Sequence, residues 1–225
     1  MRVVKKLFVE AIAKFLLGVV LVGMLIFWPA GTLHFSRGWL LMAILFVPMF
    51  CAGIVMLIKN PMLLQSRLCA KEKAREQSAV VKLSGLMFIA GFVCAGLDYR
   101  NGWTQLPMSV SVIGTVLFLS AYLVYAEVLR ENSYLSRTIE VQENQHVVDT
   151  GLYGIVRHPM YSATVLLFLS MPLVLGSLIA VIIFLLYIPI IVKRTLHEEK
   201  FLAKELEGYD DYLKEVKYRL IPYIW

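Results

Sequence analysis

Long apolar runs constrain this chain more than any other feature. About 20 helical residues cross a hydrocarbon core about 30 Å thick. Four runs have that length with few charges: residues 11–29, 39–58, 81–97 and 107–129. A fifth apolar stretch, 162–192, is too long for one span and is punctuated at Leu175-Gly176-Ser177. It predicts two short spans, 162–175 and 177–193, each reaching about 21–25 Å at the helical rise, which either form a thin hairpin or continue into polar helices. Backbone polar groups in lipid must be satisfied within the segment. The expected fold is therefore all-α and integral to the membrane, with five to six transmembrane helices. The chain is 59% apolar, against about 45–50% for soluble domains. Pro48, Pro172 and Pro189 fall inside spans, where neighbouring helices can satisfy the freed carbonyls. Trp28, Trp39, Tyr99 and Trp103 fall at predicted ends, as interfacial aromatics do.

Charge gives the orientation. Of the 22 Lys and Arg side chains, all but Arg37 and Arg100 lie on the N-terminal flank, the second loop, the fourth loop or the tail. The positive-inside rule then puts both termini in the cytoplasm, for a multi-pass protein of the cell inner membrane. The same rule puts the loop before the hairpin and the tail after it on one side. The net charge of +6 is interleaved with apolar runs rather than gathered on one face, which favours a bilayer partner over nucleic acid. Cys51, Cys69 and Cys94 are scattered and show neither a disulfide framework nor a zinc spacing. The N-terminal Met1-Arg2-Val3-Val4-Lys5-Lys6 imitates a signal peptide, but Trp28 occupies a position where cleavage near Ala30 needs a small residue. An uncleaved first span is expected.

Chemistry-bearing residues gather on either side of the hairpin. Residues 138–148 alternate in places, with Ile139 and Val141 apolar and Glu140 and Gln142 polar, which suggests extended chain. Asp149-Thr150-Gly151 reads as a turn. Arg157-His158-Pro159 follows, and proline biases the preceding residue away from the α region. His158 is thus held in a turn ahead of the span. Alone, this segment is equally a basic anchor at the membrane surface. Beyond the hairpin, Arg194 and Glu198 are four apart and share a helix face. They form an ordinary ion pair, or they divide a task. An arginine fork grips carboxylate or phosphate, and a glutamate accepts from hydroxyls or an ammonium. Tyr153 and Tyr161 serve as interfacial aromatics or as walls for a flat ring. After Glu199, Phe201, Leu202, Leu206, Tyr209 and Leu213 recur at helical spacing, interrupted by Gly208. They predict an amphipathic helix lying on the membrane. The four histidines, His34, His146, His158 and His197, show no metal-binding spacing, and no metal is expected.

Taken in order, Gly151-x-Tyr153, Arg157-His158-Pro159-Met160-Tyr161, the hairpin, Arg194-x-x-x-Glu198-Glu199, Tyr209, Tyr212 and Pro222 resemble the isoprenylcysteine carboxyl methyltransferase family. Phospholipid methyltransferases share a looser form of the pattern. The resemblance covers about residues 135–225. It implies S-adenosylmethionine as methyl donor, surrounded by Gln142, Gln145, His146, Val147, Val148, Tyr153, His158, Pro159, Met160 and Tyr161. Glu198 also binds it in this reading, and Arg194 is the catalytic residue that faces the acceptor. Leu152 stands where many members have proline. The implied organisation is a four-span region, 1–130, and a donor-binding core, 131–225, packed as one membrane domain. The implied acceptor is lipophilic and carries a carboxylate. Such a group is ionised at neutral pH, so it needs no general base. Holding donor and acceptor in line then supplies most of the rate.

Three other functions compete. A phospholipid N-methyltransferase would need a base or a neutral amine. A membrane reductase of the sterol-reductase type would bind NADPH, although the chain has no glycine-rich dinucleotide fingerprint. A transporter or scaffold would place ionisable residues at mid-membrane, whereas here they gather at one interface.

Overall fold

The computed structural model describes residues 2–68, 75–135, 139 and 141–225. Cys69, Lys71, Lys73, Arg137 and Glu140 lie outside the described residues. Over the rest the chain is helical, with no strand among the described residues. In chain order the helices are α1 (Arg2–Ala30), α2 (Ser36–Lys59), α3 (Pro61–Leu68), α4 (Arg75–Asn101), α5 (Met108–Glu131), α6 (Pro159–Leu175), α7 (Leu178–Phe184), α8 (Tyr187–Glu205) and α9 (Tyr209–Glu215). A 3-10 turn, Gly151–Gly154, precedes α6. Among the described residues, five helical stretches are long and apolar enough to span a bilayer: Leu7–Ala30, Ser36–Lys59, Ala79–Asn101, Met108–Glu131 and Leu178–Glu205. The apolar α6 is shorter. This is the all-α integral membrane architecture that the runs predict.

Local signals explain where the hairpin starts and turns. His158 has φ −128° and ψ 62°, outside the α region, and Pro159 opens α6. Gly176 closes α6 with φ +73°, a conformation that costs a side-chain-bearing residue about 1–2 kcal/mol. The Ser177 hydroxyl then caps α7 by accepting from the Ala180 N–H at 3.2 Å.

The last span takes the second of its two expected courses: after a break at Leu185-Leu186, α8 continues through Arg194 and Glu198 to Glu205, because its polar half is rich in good helix formers such as Lys, Glu, Leu and Ala. The structure differs from expectation in two places. Residues 75–78, which fall in the expected second loop, are the first turn of α4. The tail is not one surface helix. Gly208, at φ +80°, starts a separate α9. Leu206, Tyr209, Tyr212 and Val216 turn inward to pack with Val141, Val147, Leu202 and Leu213. The apolar face predicted for lipid instead clamps the loop that precedes the hairpin.

Two glycines let helix backbones approach closely. A Cβ on Gly96 of α4 would lie 2.5 Å from the Ile26 carbonyl oxygen of α1. One on Gly114 of α5 would lie 2.7 Å from Leu173 Cβ of α6. Small residues let membrane helices pack at this range, where dispersion rather than water exclusion drives association. Phe88 of α4 packs edge-on against Phe168 of α6 and Phe184 of α7.

The far end of the bundle is closed by a buried polar cluster. Asp98 accepts from the Thr104 N–H at 2.7 Å, the Thr104 hydroxyl at 2.6 Å and the Ser177 hydroxyl. Arg37 donates to the Leu106 carbonyl at 2.8 Å, and the Leu106 N–H donates to that of Gly176 at 2.9 Å. The turn between α6 and α7 is thereby tied to the loop after α4, which pins the hairpin beside α4 and α5. The two cations set apart by the charge count, Arg37 and Arg100, both belong to this end, and the chemistry gathers at the other.

Candidate active site

The 3-10 turn positions the first wall. Gly151 has φ +56°, and a Cβ there would sit 1.6 Å from Glu131 Oε1. Glu131, at the end of α5, accepts the Leu152 N–H at 2.9 Å. With the turn fixed to α5, Tyr153 is buried. Its hydroxyl accepts from Asn132 Nδ2 at 3.1 Å, and its carbonyl accepts from the Tyr212 hydroxyl at 2.7 Å.

The start of α6 and the polar half of α8 form the second wall. Tyr161 lies between the two: Arg194 Nε donates to its hydroxyl at 2.9 Å, and that hydroxyl donates to Glu198. The His158 ring stacks on Tyr161, with centroids 5.6 Å apart and planes 16° apart. His158 Nδ1 is 4.0 Å from Glu198, while Nε2 is 3.3 Å from Glu199. The imidazole is therefore wedged between two neighbouring carboxylates.

Behind this wall, Glu199 ties three chain segments together. Its side chain is 9% exposed. Oε1 lies 2.7 Å from Arg157 Nε, and Oε2 accepts from Arg219 Nε at 2.8 Å. The backbone N–H groups of Arg157 and His158 donate to the carbonyls of Tyr218 and Arg219, each at 2.9 Å. The tail is thus stitched along the segment that enters the hairpin.

A cavity lies between these walls. Of the residues predicted to form a donor site, Gln145, His146, Val147, Val148, Tyr153, His158, Met160, Tyr161, Arg194 and Glu198 all border it. Gln142 and Pro159 do not. Gln142 donates to the Tyr134 carbonyl at 2.6 Å and shapes the turn before Gln145, while Pro159 is buried as the first residue of α6. His146 leans on Tyr134, whose hydroxyl is 3.2 Å from its Nδ1. Sequence reasoning missed the contributions of Asn132, Tyr134, Leu202 and Leu206. Tyr209 and Tyr212 were in the motif without a role, and both border the cavity. The Tyr209 hydroxyl is buried with no hydrogen-bond partner. Burial pushes the phenols of Tyr153, Tyr209 and Tyr212 well above their ordinary value, so all three are neutral at physiological pH.

The arrangement offers a cation, a carboxylate, an imidazole and several ring faces around one cavity at the foot of an apolar hairpin. Residues 109–207 match the family model described as phospholipid methyltransferase. This stretch, just under half of the chain, runs from α5 to just past α8. It contains every residue predicted for the donor site. A Delta(14)-sterol reductase of Mus musculus is 31% identical over 91 residues, which is 39% of this chain and 22% of that protein. The match thus spans about a fifth of the relative's length.

Proposed function

We propose that this protein transfers a methyl group from S-adenosylmethionine to a lipophilic acceptor, preferably a carboxylate, as in isoprenylcysteine-type carboxyl methylation. The observation that carries this reading is the chain Arg194–Tyr161–Glu198 beside His158, set in one cavity within the stretch that matches the methyltransferase model. The donor set suits this cofactor. Glu198 can take an ammonium or ribose hydroxyls, and Val147, Val148, Leu202 and the tyrosine faces suit an adenine. The buried, unpartnered Tyr209 hydroxyl supplies a hydrogen bond that no protein group uses. The cavity encloses about 100 Å³, less than the roughly 300–1,000 Å³ usual for pockets of larger ligands.

When bound, the sulfonium supplies an electrophilic methyl carbon: an acceptor oxygen's lone pair forms the new C–O bond, and the C–S pair returns to sulfur. The residues of this chain orient and desolvate. Arg194 aligns the acceptor carboxylate, Tyr161 fixes the direction of the guanidinium, and Glu198 holds the donor. His158 shapes the floor of the cavity. Excluding water would favour the step, because both reactants are charged and the transition state disperses that charge. Both termini and this site face the cytoplasm of an inner-membrane protein, and residues 131–225 form the donor-binding core behind a four-span region, 1–130.

The test is donor binding by purified protein, wild type and His158→Ala and Glu198→Ala. Binding by wild type with loss in both variants is expected, and a wild type that binds no donor refutes the reading. Arg194→Ala should lose transfer more than donor binding. A second reading, reduction of a lipid with NADPH, is favoured by the sterol-reductase likeness alone. Thermal stabilisation by NADPH and not by S-adenosylmethionine would select it. Methylation of an amine in a labelled lipid extract, rather than of a carboxylate, would instead select a phospholipid acceptor.

A further inference from the structure

A second cavity lies outside this site, between α1, α2 and α3. It encloses about 290 Å³ and is lined largely by apolar side chains, among them Ile12, Phe15, Phe50, Ile54 and Leu64. That volume is near the lower end for a ligand pocket and suits one hydrocarbon chain. Arg67 closes its α3 end. Arg67 is also the link to the candidate active site. Both of its terminal nitrogens are 3.8 Å from the sulfur of Met160, which borders the active-site cavity. Its guanidinium carbon is 5.8 Å from the Tyr125 ring centroid. Its Nε is buried without a hydrogen-bond partner. Among the described residues, no oxygen accepts from this guanidinium. The neighbouring cation is in a different state: Lys14 Nζ is held by Glu10 at 2.6 Å and by the Leu68 carbonyl at 2.8 Å.

A partly buried guanidinium with no acceptor is costly unless an anion completes it. It is a fixed fork suited to a carboxylate or phosphate. We infer that the α1–α2–α3 groove takes the hydrocarbon chain of the methyl acceptor, a single-chain lipid, and that Arg67 captures its anionic head as it enters, at the edge of the donor cavity, before Arg194 aligns it for transfer. This inference deepens the methyltransferase reading and rests on it. The groove gives the acceptor an entry from the lipid on the α1–α2 side, and Met160 is the partition between the chain and the donor.

Gly53 allows a clean perturbation. A Cβ there meets nothing within 4 Å although the residue lines the groove. Gly53→Leu therefore fills the space without a backbone clash, and leucine is the better helix former. The experiment uses two photoreactive probes with the same diazirine-bearing sixteen-carbon chain, palmitate and its alcohol, on detergent-purified full-length protein. Palmitate is expected to label peptides 8–15 and 49–57 several-fold more than the alcohol. Arg67→Gln should erase that preference, and Gly53→Leu should lower labelling by both probes. Both variants should retain wild-type affinity for S-adenosylmethionine while KM for lipid-extract methylation rises about tenfold or more. Equal labelling by the two heads, labelling spread over all helices, or a preference that survives Arg67→Gln overturns the inference and marks the groove as ordinary lipid contact. Donor binding measured on the same samples separates this failure from failure of the methyltransferase reading.

Discussion

Removing the Glu199 carboxylate should release the tail while leaving the membrane bundle standing. Glu199 sits on α8, Arg157 precedes α6 and Arg219 lies beyond α9, so one side chain joins three segments separated by the hairpin and the tail. In Glu199→Ala the Arg157 guanidinium, buried with its residue 8% exposed, keeps only the carbonyls of Leu213 and Val216 at 3.4 and 3.3 Å. Breaking a buried pair by removing one partner costs about 3–5 kcal/mol. Arg219 is 31% exposed and regains water, so the lower end applies. About 3 kcal/mol corresponds to roughly a hundredfold shift in the opening equilibrium of the tail. Hydrogen exchange reads it directly. Amides that close the tail, including Val216 and the Arg157 and His158 N–H groups bonded to residues 218 and 219, should lose about a hundredfold in protection. Glu199→Gln keeps the shape and one acceptor and should lose about tenfold. Wild-type protection at these amides in both variants would refute the assignment of Glu199 as the tie.

Three further outcomes are expected. Tyr161→Phe keeps the ring on His158 but removes the hydroxyl between Arg194 and Glu198. Hydrogen bonds to charged groups are worth about 1.5–3 kcal/mol, so donor affinity should fall about 10–100-fold in isothermal titration with no change in melting temperature beyond a few degrees. Asp98→Ala strands the Thr104 and Ser177 hydroxyls at the far end; thermal unfolding should report a loss of about 3 kcal/mol, with donor affinity of the folded fraction unchanged. Raised phenol pKa values mean that Tyr153, Tyr209 and Tyr212 stabilise the fold fully below the unfolded value near 10 and lose that contribution as pH climbs through their folded values. In a tyrosinate absorbance titration at least these three should stay protonated at about pH 11 until the protein unfolds.

The bundle was legible because membrane-length apolar runs leave the backbone few alternatives. The sequence also put Arg157-His158 and Arg194-Glu198 on one side, and the 2.7 Å approach of Arg157 to Glu199 is that inference made physical. The choice of Glu198 over Glu199 came from the family resemblance and not from the helical period. Glu198 and Glu199 are adjacent, hence about 100° apart around a helix of 3.6 residues per turn. Only the packing of α8 against α6 turns Glu198 to the cavity and Glu199 to the arginines. The tail was misread for a related reason. A 3.6-residue period shows that a helix has an apolar face, but a bilayer and the chain's own loop satisfy that face equally. Gly208 was the signal that decided it, since a left-handed residue at φ +80° redirects the chain back over Val147. Asp98, Ser177 and Arg67 carry no motif, and their roles exist only once the chain has folded.

The likeness to a methyltransferase family lies in the segment that builds most of the cavity wall. The matched stretch, 109–207, builds the turn, the hairpin and the polar face of α8. A polar face at the foot of a hairpin is useful to any enzyme that joins a charged cofactor to a lipid. The unpartnered hydroxyl of Tyr209, the clamp of Tyr212 on Tyr153 and the Arg219 side of the Glu199 tie all come from beyond its C-terminal edge. Arg67 and its groove come from before its start. On the proposed function, the segment that matches the methyltransferase model holds most of the groups around the donor cavity, and the flanking segments complete it. Tyr209→Phe should then weaken donor binding without unfolding the tail, whereas changes at Arg67 and Gly53 should change only the handling of the acceptor.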